Sequence, residues 1–291
     1  MPVVILFFLG YILKRMNVLH ADDSKVFSRL LLNVVLPALL IQILWTTKLE
    51  WDLIYFPLAS LVILVALLVL GFLFAHLLGL KDKTKNAFVT AFPTIDAGNV
   101  GYPFMFLLFG TVGLSRIVLL DIMNVLFLFL IVYPLAYGLG KGKVTLRDSI
   151  QKIVSVPIVW GIVLGILLNI VGFQNELVSN TLGTISEALL LIVMMFLGVE
   201  FNPKLSSFKL PVSTILLKTV VGVTLGLVVS HIFGFQGVDR IATVIWASLP
   251  ASLICIIFAK ENKLDTEFTS NMLSIALPLA IVFMTIIVQF L

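Results

Sequence analysis

The sequence predicts an all-α polytopic membrane protein with ten transmembrane helices arranged as two inverted repeats of five. Three observations support this fold class. First, 60% of the 291 residues are hydrophobic and only 12% are charged, which is too apolar for a soluble domain. Second, long apolar stretches recur along the whole chain. Third, the basic residues lie in the gaps between these stretches, and mostly in every second gap.

The apolar stretches have the length of membrane-spanning helices, since roughly 20 apolar residues cross about 30 Å of hydrocarbon. They occupy residues 2–13, 27–47, 53–80, 87–110, 117–139, 153–173, 182–199, 210–233, 241–259 and 268–291. They are too long and too uniformly apolar for barrel strands. The first stretch is short, and its positive charges follow it. It therefore does not resemble a signal peptide, and we expect a spanning helix whose beginning is truncated.

The distribution of basic residues predicts the orientation of the chain. Fifteen of the 19 Lys and Arg residues lie in the odd-numbered gaps, three (Lys48, Arg116 and Arg240) lie in even-numbered gaps, and Lys218 lies inside a stretch. The positive-inside rule then places the odd gaps in the cytoplasm and both termini outside the cell membrane. The net charge of +4 therefore orients the protein in lipid and gives no indication of nucleic-acid binding.

The longest central gap divides the stretches into two groups of five. We expect a first repeat at residues 1–139, a cytoplasmic connecting loop at 140–152 and a second repeat at 153–291. An odd number of helices per repeat means that the second repeat is upside down relative to the first. Inverted repeats with broken helices that meet at the bilayer midplane are common in secondary transporters.

The fourth and ninth stretches contain residues that interrupt helices near the middle of the bilayer. In the fourth stretch these are Pro93, Asp96, Gly98, Asn99, Gly101 and Pro103. In the ninth, Pro250 lies between Ser248 and Ser252. Proline removes an amide donor and glycine lowers the cost of unwinding, so we predict two broken helices. The alternative is a simple kink, which membrane helices often carry.

Two broken helices that cross would bring four half-helix ends together. Two amino ends carry partial positive charge and two carboxyl ends carry partial negative charge, so the crossing can hold an anionic group on one side and a cation or proton on the other. We predict that the substrate site contains Asp96, Asn99, Gly101, Pro103, Asn124, Pro250 and Ser252.

Ionisable residues inside membranes are costly and often functional. We predict that Asp96 carries the coupling H⁺ or Na⁺, and that Asp121 is a second candidate. The alternative for Asp121 is an ion pair with Arg116. Asn124 lies three residues after Asp121, so both share one helix face. Lys218 is predicted to be structural, with its side chain snorkelling toward the cytoplasmic edge.

The chain resembles the auxin efflux carrier family, which comprises the PIN-like transporters and their bacterial relatives. The resemblance runs from end to end through "FFLGYILKRMNVL", "FSRLLLNVVLPALLI", "GNVGYP", "FLGVEFNPKL", "LPASLICIIFAKEN" and "SIALPLAIVF". Members tend to carry Asn five residues before the Gly-x-Pro of the fourth helix, where this chain has Asp96. An ionisable group thus replaces a neutral one at the expected crossing.

The resemblance implies a crossover fold shared with bile-acid and sodium–proton carriers. Helices one, two, six and seven would form a scaffold, and the other six a moving transport domain. It further implies elevator-like exchange of organic anions, commonly carboxylates. Glu187 of the seventh helix is then expected to contact substrate from the scaffold, with structural pairing as the alternative. A homodimer through the scaffold helices is also expected.

These observations predict a secondary active or facilitative carrier of a small organic anion, embedded in membrane lipid, with no cofactor or metal beyond a coupling H⁺ or Na⁺. One alternative is a cation/proton antiporter of the same fold that uses Asp96 and Asp121. An intramembrane enzyme is a remote alternative, since the sequence has no HExxH pair and no Gly-x-Ser-x-Gly elbow.

Overall fold

The computed structural model describes residues 2–47, 50–140, 145–200 and 209–291, and within these ranges all regular structure is helical. The α-helices are α1 (Pro2–Arg15), α2 (Ser24–Leu30), α3 (Leu36–Thr46), α4 (Tyr55–Leu77), α5 (Asp82–Ala91), α6 (Tyr102–Phe127), α7 (Tyr133–Gly140), α8 (Leu146–Ser155), α9 (Pro157–Val171), α10 (Glu176–Glu200), α11 (Lys209–Ile232), α12 (Gly237–Ser248), α13 (Ile254–Glu261) and α14 (Thr266–Phe290). Three short π-helical turns extend these helices. Leu31–Val35 joins α2 to α3, Ala97–Gly101 precedes α6, and Leu128–Val132 joins α6 to α7.

The protein is a multi-pass membrane protein. Among the described residues, five helical segments are long and apolar enough to cross a membrane, or six when the bent pair Arg147–Ser155 and Pro157–Val171 counts as one span. This number is smaller than the ten spans that the sequence predicts. One reason is that several predicted spans consist of short helices, such as α5 with 10 residues and α13 with 8 residues.

The longest apolar helical segment, Ala97–Gly140, has 44 residues. At 1.5 Å per residue it would extend roughly 66 Å, about twice the thickness of the hydrocarbon core. Gly110 interrupts it with φ 58° and ψ −147°, a conformation outside the helical region and at a positive φ that glycine adopts without a steric penalty. The chain therefore changes direction at Gly110, between the predicted fourth and fifth spans.

The chain forms two compact units. The first unit comprises Met1–Glu50 and Val154–Asn202, and the second comprises Trp51–Ile153 and Pro203–Leu291. The predicted cytoplasmic residues Lys141, Lys143 and Lys204 lie outside the described residues, as does Lys48 on the predicted outer side.

In the first unit, glycines allow helices to pack at backbone distance. A Cβ atom at Gly10 of α1 would lie 2.8 Å from the carbonyl oxygen of Met195 in α10. A Cβ atom at Gly161 of α9 would lie 2.9 Å from the carbonyl oxygen of Pro37 in α3. Both distances are shorter than ordinary van der Waals contact, so a larger residue at either position requires the helices to separate.

In the second unit, the loops from odd-numbered gaps lie together at one end. The Thr84 hydroxyl donates to the Asp265 carboxylate at 2.6 Å, and the Asn86 amide donates to the carbonyl of Leu139 at 3.0 Å. Gly140 in turn lies against the backbone of Asn262. The beginning of α5, the end of α7 and the beginning of α14 are therefore neighbours.

The even-numbered gaps of the second unit also lie together. Arg116 Nε contacts Asp239 Oδ1 at 2.7 Å, and the Arg116 guanidinium lies 5.5 Å from the ring centroid of Phe56. The ring of Phe56 stacks on Phe235 with centroids 4.6 Å apart. The beginning of α4, the middle of α6 and the connection from α11 to α12 are thus neighbours, and basic residues are sparse at this end.

Candidate functional site

The first helix interruption follows α5. The helix ends at Ala91, a turn closes with the Thr94 amide donating to the Ala91 carbonyl at 3.1 Å, and Asp96 has φ −100° and ψ 72°. Helical structure resumes at Ala97. Pro93 lies within this turn. Because proline has no amide hydrogen, it cannot donate the hydrogen bond that would continue the helix at this point.

The second interruption follows α12. This helix ends at Ser248, Leu249 is extended with φ −60° and ψ 154°, and α13 begins at Ile254. Pro250 is buried between the two helices. Both interruptions occur at the residues where the sequence predicts them, and both lie in the second unit.

The two interrupted segments contact each other directly. The Asp96 amide donates to the carbonyl of Pro250 at 3.0 Å. The Ser252 amide donates to the Thr94 hydroxyl oxygen at 3.0 Å, and Thr94 Oγ1 lies 3.2 Å from the Cys255 sulfur. These hydrogen bonds satisfy backbone groups that the interruptions remove from the helices, as unwound backbone inside a membrane protein requires.

Asp96 lies where two half-helices begin. Its Oδ1 accepts from the side-chain and backbone amides of Asn99 at 2.8 and 3.3 Å, and its Oδ2 accepts from the backbone amide of Leu253 at 3.2 Å. Asp96 caps the helical segment that leads into α6, and Leu253 is the residue before α13. The side chain is 4% exposed, so one buried carboxylate faces the positive ends of two half-helices.

Lys218 lies at the end of the half-helix α5. Its ammonium donates to the carbonyl oxygen of Phe92 at 2.6 Å, one residue after the end of α5, and lies 5.5 Å from the Phe92 ring centroid. Lys218 also lines a small cavity with Ser248, Pro250 and Ala251, at the end of α12. The predicted snorkelling is therefore wrong. Lys218 is 3% exposed because its ammonium binds inward, to a carbonyl that lacks a helical partner.

Asp121 is held by three donors. Its Oδ1 accepts from Asn124 at 2.8 Å and from the Trp246 indole at 3.3 Å, and its Oδ2 accepts from the Tyr102 hydroxyl at 2.9 Å. The ion pair considered between Asp121 and Arg116 is not formed, because the guanidinium binds Asp239 instead.

Asn124 connects Asp121 to the first interruption. Besides its bond to Asp121, its amide nitrogen donates to the carbonyl of Ile95 at 3.0 Å, next to Asp96 in the chain. Asp121 and Asn124 therefore hold the interrupted backbone in place from α6, and both are buried.

The remaining predicted site residues have different surroundings. Gly101 is packed so closely that a Cβ atom would lie 2.7 Å from side-chain atoms of Ile117 and Leu249. Pro103 is buried in the first turn of α6. Glu187 is an exposed residue of α10 in the first unit, and its contact with substrate stays a prediction.

Sequence reasoning missed three residues of this network, namely Thr94, Tyr102 and Trp246. Thr94 lies between Pro93 and Asp96, so its position in the interrupted segment was a usable signal. The partner of Tyr102 is 19 residues away and that of Trp246 is 125 residues away. No local pattern indicates either contact.

Two interrupted helices that hydrogen-bond to each other within an apolar, multi-pass chain are typical of secondary membrane transporters. Residues 1–288 match the family described as membrane transport protein, which includes the PIN-like auxin efflux carriers, and the chain belongs to this family. The chain is similar to an uncharacterized transporter of Methanothermobacter thermautotrophicus, with 26% identity covering 97% of this chain and 94% of that protein. It is also similar to an uncharacterized transporter of Methanocaldococcus jannaschii, with 23% identity covering 92% and 90% of the two chains.

Proposed function

We propose that this protein is a proton-coupled carrier of small organic anions of the carboxylate class. The observation that supports this proposal best is the position of Asp96. Its carboxylate accepts hydrogen bonds from amides at the beginnings of two half-helices, which are the donors that a substrate carboxylate would use.

Asp96 and a substrate anion therefore compete for the same donors. An ionised Asp96 occupies the amides of Asn99 and Leu253 and repels a second negative charge. A protonated Asp96 carries no net charge and releases these donors to the substrate. Each carboxylate then binds together with one proton, and the charge of the crossing is the same with and without substrate.

We propose alternating access by an elevator motion of the second unit, which carries the crossing. The first unit contains the residues predicted as helices one, two, six and seven, and the second contains the other six. This grouping supports a scaffold and a transport domain. It supports a motion in which the site moves with the helices that form it.

The contacts within the second unit support ten spans in two inverted repeats. The segment α5 to Gly110 connects the basic end of the unit with the end that contains Arg116 and Asp239. The pair α12 and α13 begins at the Arg116 end and finishes near Asn262, at the basic end. The two interrupted segments thus run in opposite directions. The basic end faces the cytoplasm in this proposal, which places both termini outside the cell membrane.

Transport by purified protein in liposomes tests the proposal. A panel of labelled mono- and dicarboxylates is offered with pH and Na⁺ varied independently, and protein-free liposomes correct for diffusion of the neutral acids. We expect saturable uptake of at least one carboxylate that increases when the outside is acidic. Absence of protein-dependent uptake across the panel would contradict the assignment of organic anions.

A cation/proton antiporter remains a second candidate because two carboxylates, Asp96 and Asp121, are buried in one network. Both oxygens of Asp121 already accept hydrogen bonds from protein donors, which favours a positioning role over cation binding. An assay in liposomes that contain a pH-sensitive dye and no organic solute distinguishes the two candidate functions. Na⁺- or K⁺-driven proton flux under these conditions would support the antiporter.

A further inference from the structure

We propose that the ammonium of Lys218 is a resident cation that holds the place of a soluble coupling ion, so that the carrier works without Na⁺. The inference rests on the proposed function in that it treats the crossing as the transport site. It adds a role for the carboxyl ends of the half-helices. These ends carry partial negative charge, and the binding of an organic anion does not explain what they bind.

The first support is the group that Lys218 binds. Its partner is the carbonyl oxygen of Phe92, at 2.6 Å, and none of the ion pairs among the described residues includes Lys218. A buried ammonium usually has a carboxylate partner, because an unpaired charge is costly to bury. A carbonyl at the end of a helix is instead the type of ligand that a coupling cation uses in transporters with broken helices.

The second support is the position of Lys218 next to the end of α5 and across a small cavity from the end of α12. Lys218 binds the carbonyl after α5, and it lines one cavity with Ser248 and Pro250, where α12 ends. The ammonium therefore binds the partial negative charge at the end of α5 directly, and Lys218 shares a cavity with the end of α12. Asp96 has the mirror role at the two amino ends.

The third support is the surrounding apolar packing. The ammonium lies against the ring of Phe92, and the cavity beside it is also lined by Met272, Ala276 and Phe283. A second cation here would meet the charge of Lys218, and the side-chain oxygens among the lining residues are the hydroxyls of Thr219 and Ser248. The position thus accepts one cation, which the chain itself supplies.

Purified protein in detergent tests the inference without requiring transport. Thermal unfolding is followed while NaCl replaces choline chloride at constant ionic strength. We expect no saturable stabilisation of the wild type by Na⁺, and a Tm lower by about 5 °C or more for Lys218→Met, which keeps an unbranched side chain one atom shorter and removes its charge. Lys83→Met is the matched control, because Lys83 is exposed outside the apolar segments.

Chemical rescue shows whether the charge of the ammonium, and not only the bulk of the side chain, stabilises the protein. Lys218→Ala removes three carbons and the ammonium, which are the atoms of n-propylammonium. We expect n-propylammonium to raise the Tm of Lys218→Ala saturably, and n-propanol to leave it unchanged. Neither compound should affect the wild type or Lys83→Met in this way.

Three results would overturn the inference: saturable stabilisation of the wild type by Na⁺, a Lys218→Met variant as stable as the wild type, or a Lys218→Ala variant that n-propylammonium does not stabilise. If neither variant yields folded protein, the Na⁺ titration of the wild type decides alone. If no carboxylate is transported, the proposed function fails, while these unfolding measurements still test the role of Lys218.

Discussion

The carboxylate of Asp96 accepts a hydrogen bond from the backbone amide of Leu253 at 3.2 Å. A side chain from one interrupted helix thereby caps the beginning of the other, 157 residues later in the chain. The two interruptions stabilise each other, because each provides hydrogen-bond partners for backbone groups that the other leaves without helical partners. A change at either segment should therefore affect both.

Removal of the Tyr102 hydroxyl should destabilise the crossing. In Tyr102→Phe, Oδ2 of buried Asp121 loses its donor, and we expect a loss of about 1–3 kcal/mol in the free energy of unfolding. Thermal unfolding in detergent measures this loss. Tyr55→Phe is the control, since Tyr55 is 46% exposed. Equal Tm values for the two variants would show that the phenol of Tyr102 does not support Asp121.

Gly222 should tolerate no side chain. A Cβ atom at this position would overlap the carbonyl group of Ala247, so Gly222→Ala forces α11 away from the end of α12. We expect a loss of about 1–3 kcal/mol, typical of overpacking. The same substitution at Gly138, where a Cβ atom meets no atom within 4 Å, should leave the Tm unchanged. A Gly222→Ala variant as stable as Gly138→Ala contradicts this packing.

Asn169 should stabilise the first unit independently of the crossing. Its amide nitrogen lies 2.8, 2.8 and 2.7 Å from the carbonyl oxygens of Leu44, Trp45 and Thr47, so its two hydrogens are shared among acceptors at the end of α3. Asn169→Leu should increase hydrogen exchange near the end of α3 and leave exchange near Asp96 unchanged. Faster exchange at both places would mean that the two units unfold together.

The sequence predicted the features of this molecule that depend on local composition. Runs of apolar residues predicted helices, and proline with glycine near residues 93–101 predicted the interruption before α6. The charge pattern predicts that the odd-numbered gaps lie on one side of the membrane; within the second unit their loops are neighbours, and the side that they face stays a prediction. The end of the fourth apolar stretch at residue 110 coincides with the break at Gly110, whereas the helix lengths on either side of the interruptions were less predictable.

The electrostatics of the site depended on contacts that the sequence does not encode locally. The depth of Lys218 predicts a structural lysine that snorkels toward the cytoplasmic edge, whereas its ammonium binds the carbonyl of Phe92 inside the second unit. Asp121 was considered as a partner of Arg116, five residues earlier, but Asp239 is nearer to the guanidinium in space. For Arg116, a partner 123 residues away replaces the carboxylate that is near in sequence.

The central claim is that Asp96 binds the proton that accompanies each carboxylate, and Asp96→Asn tests it directly. The measurement is uptake of a transported carboxylate by proteoliposomes under an imposed pH gradient, corrected with protein-free liposomes. With one proton per carboxylate, the wild type should accumulate substrate about tenfold per pH unit, since one unit is worth about 1.4 kcal/mol. Asp96→Asn should still exchange labelled for unlabelled substrate but show no accumulation, whereas accumulation equal to that of the wild type would contradict the account.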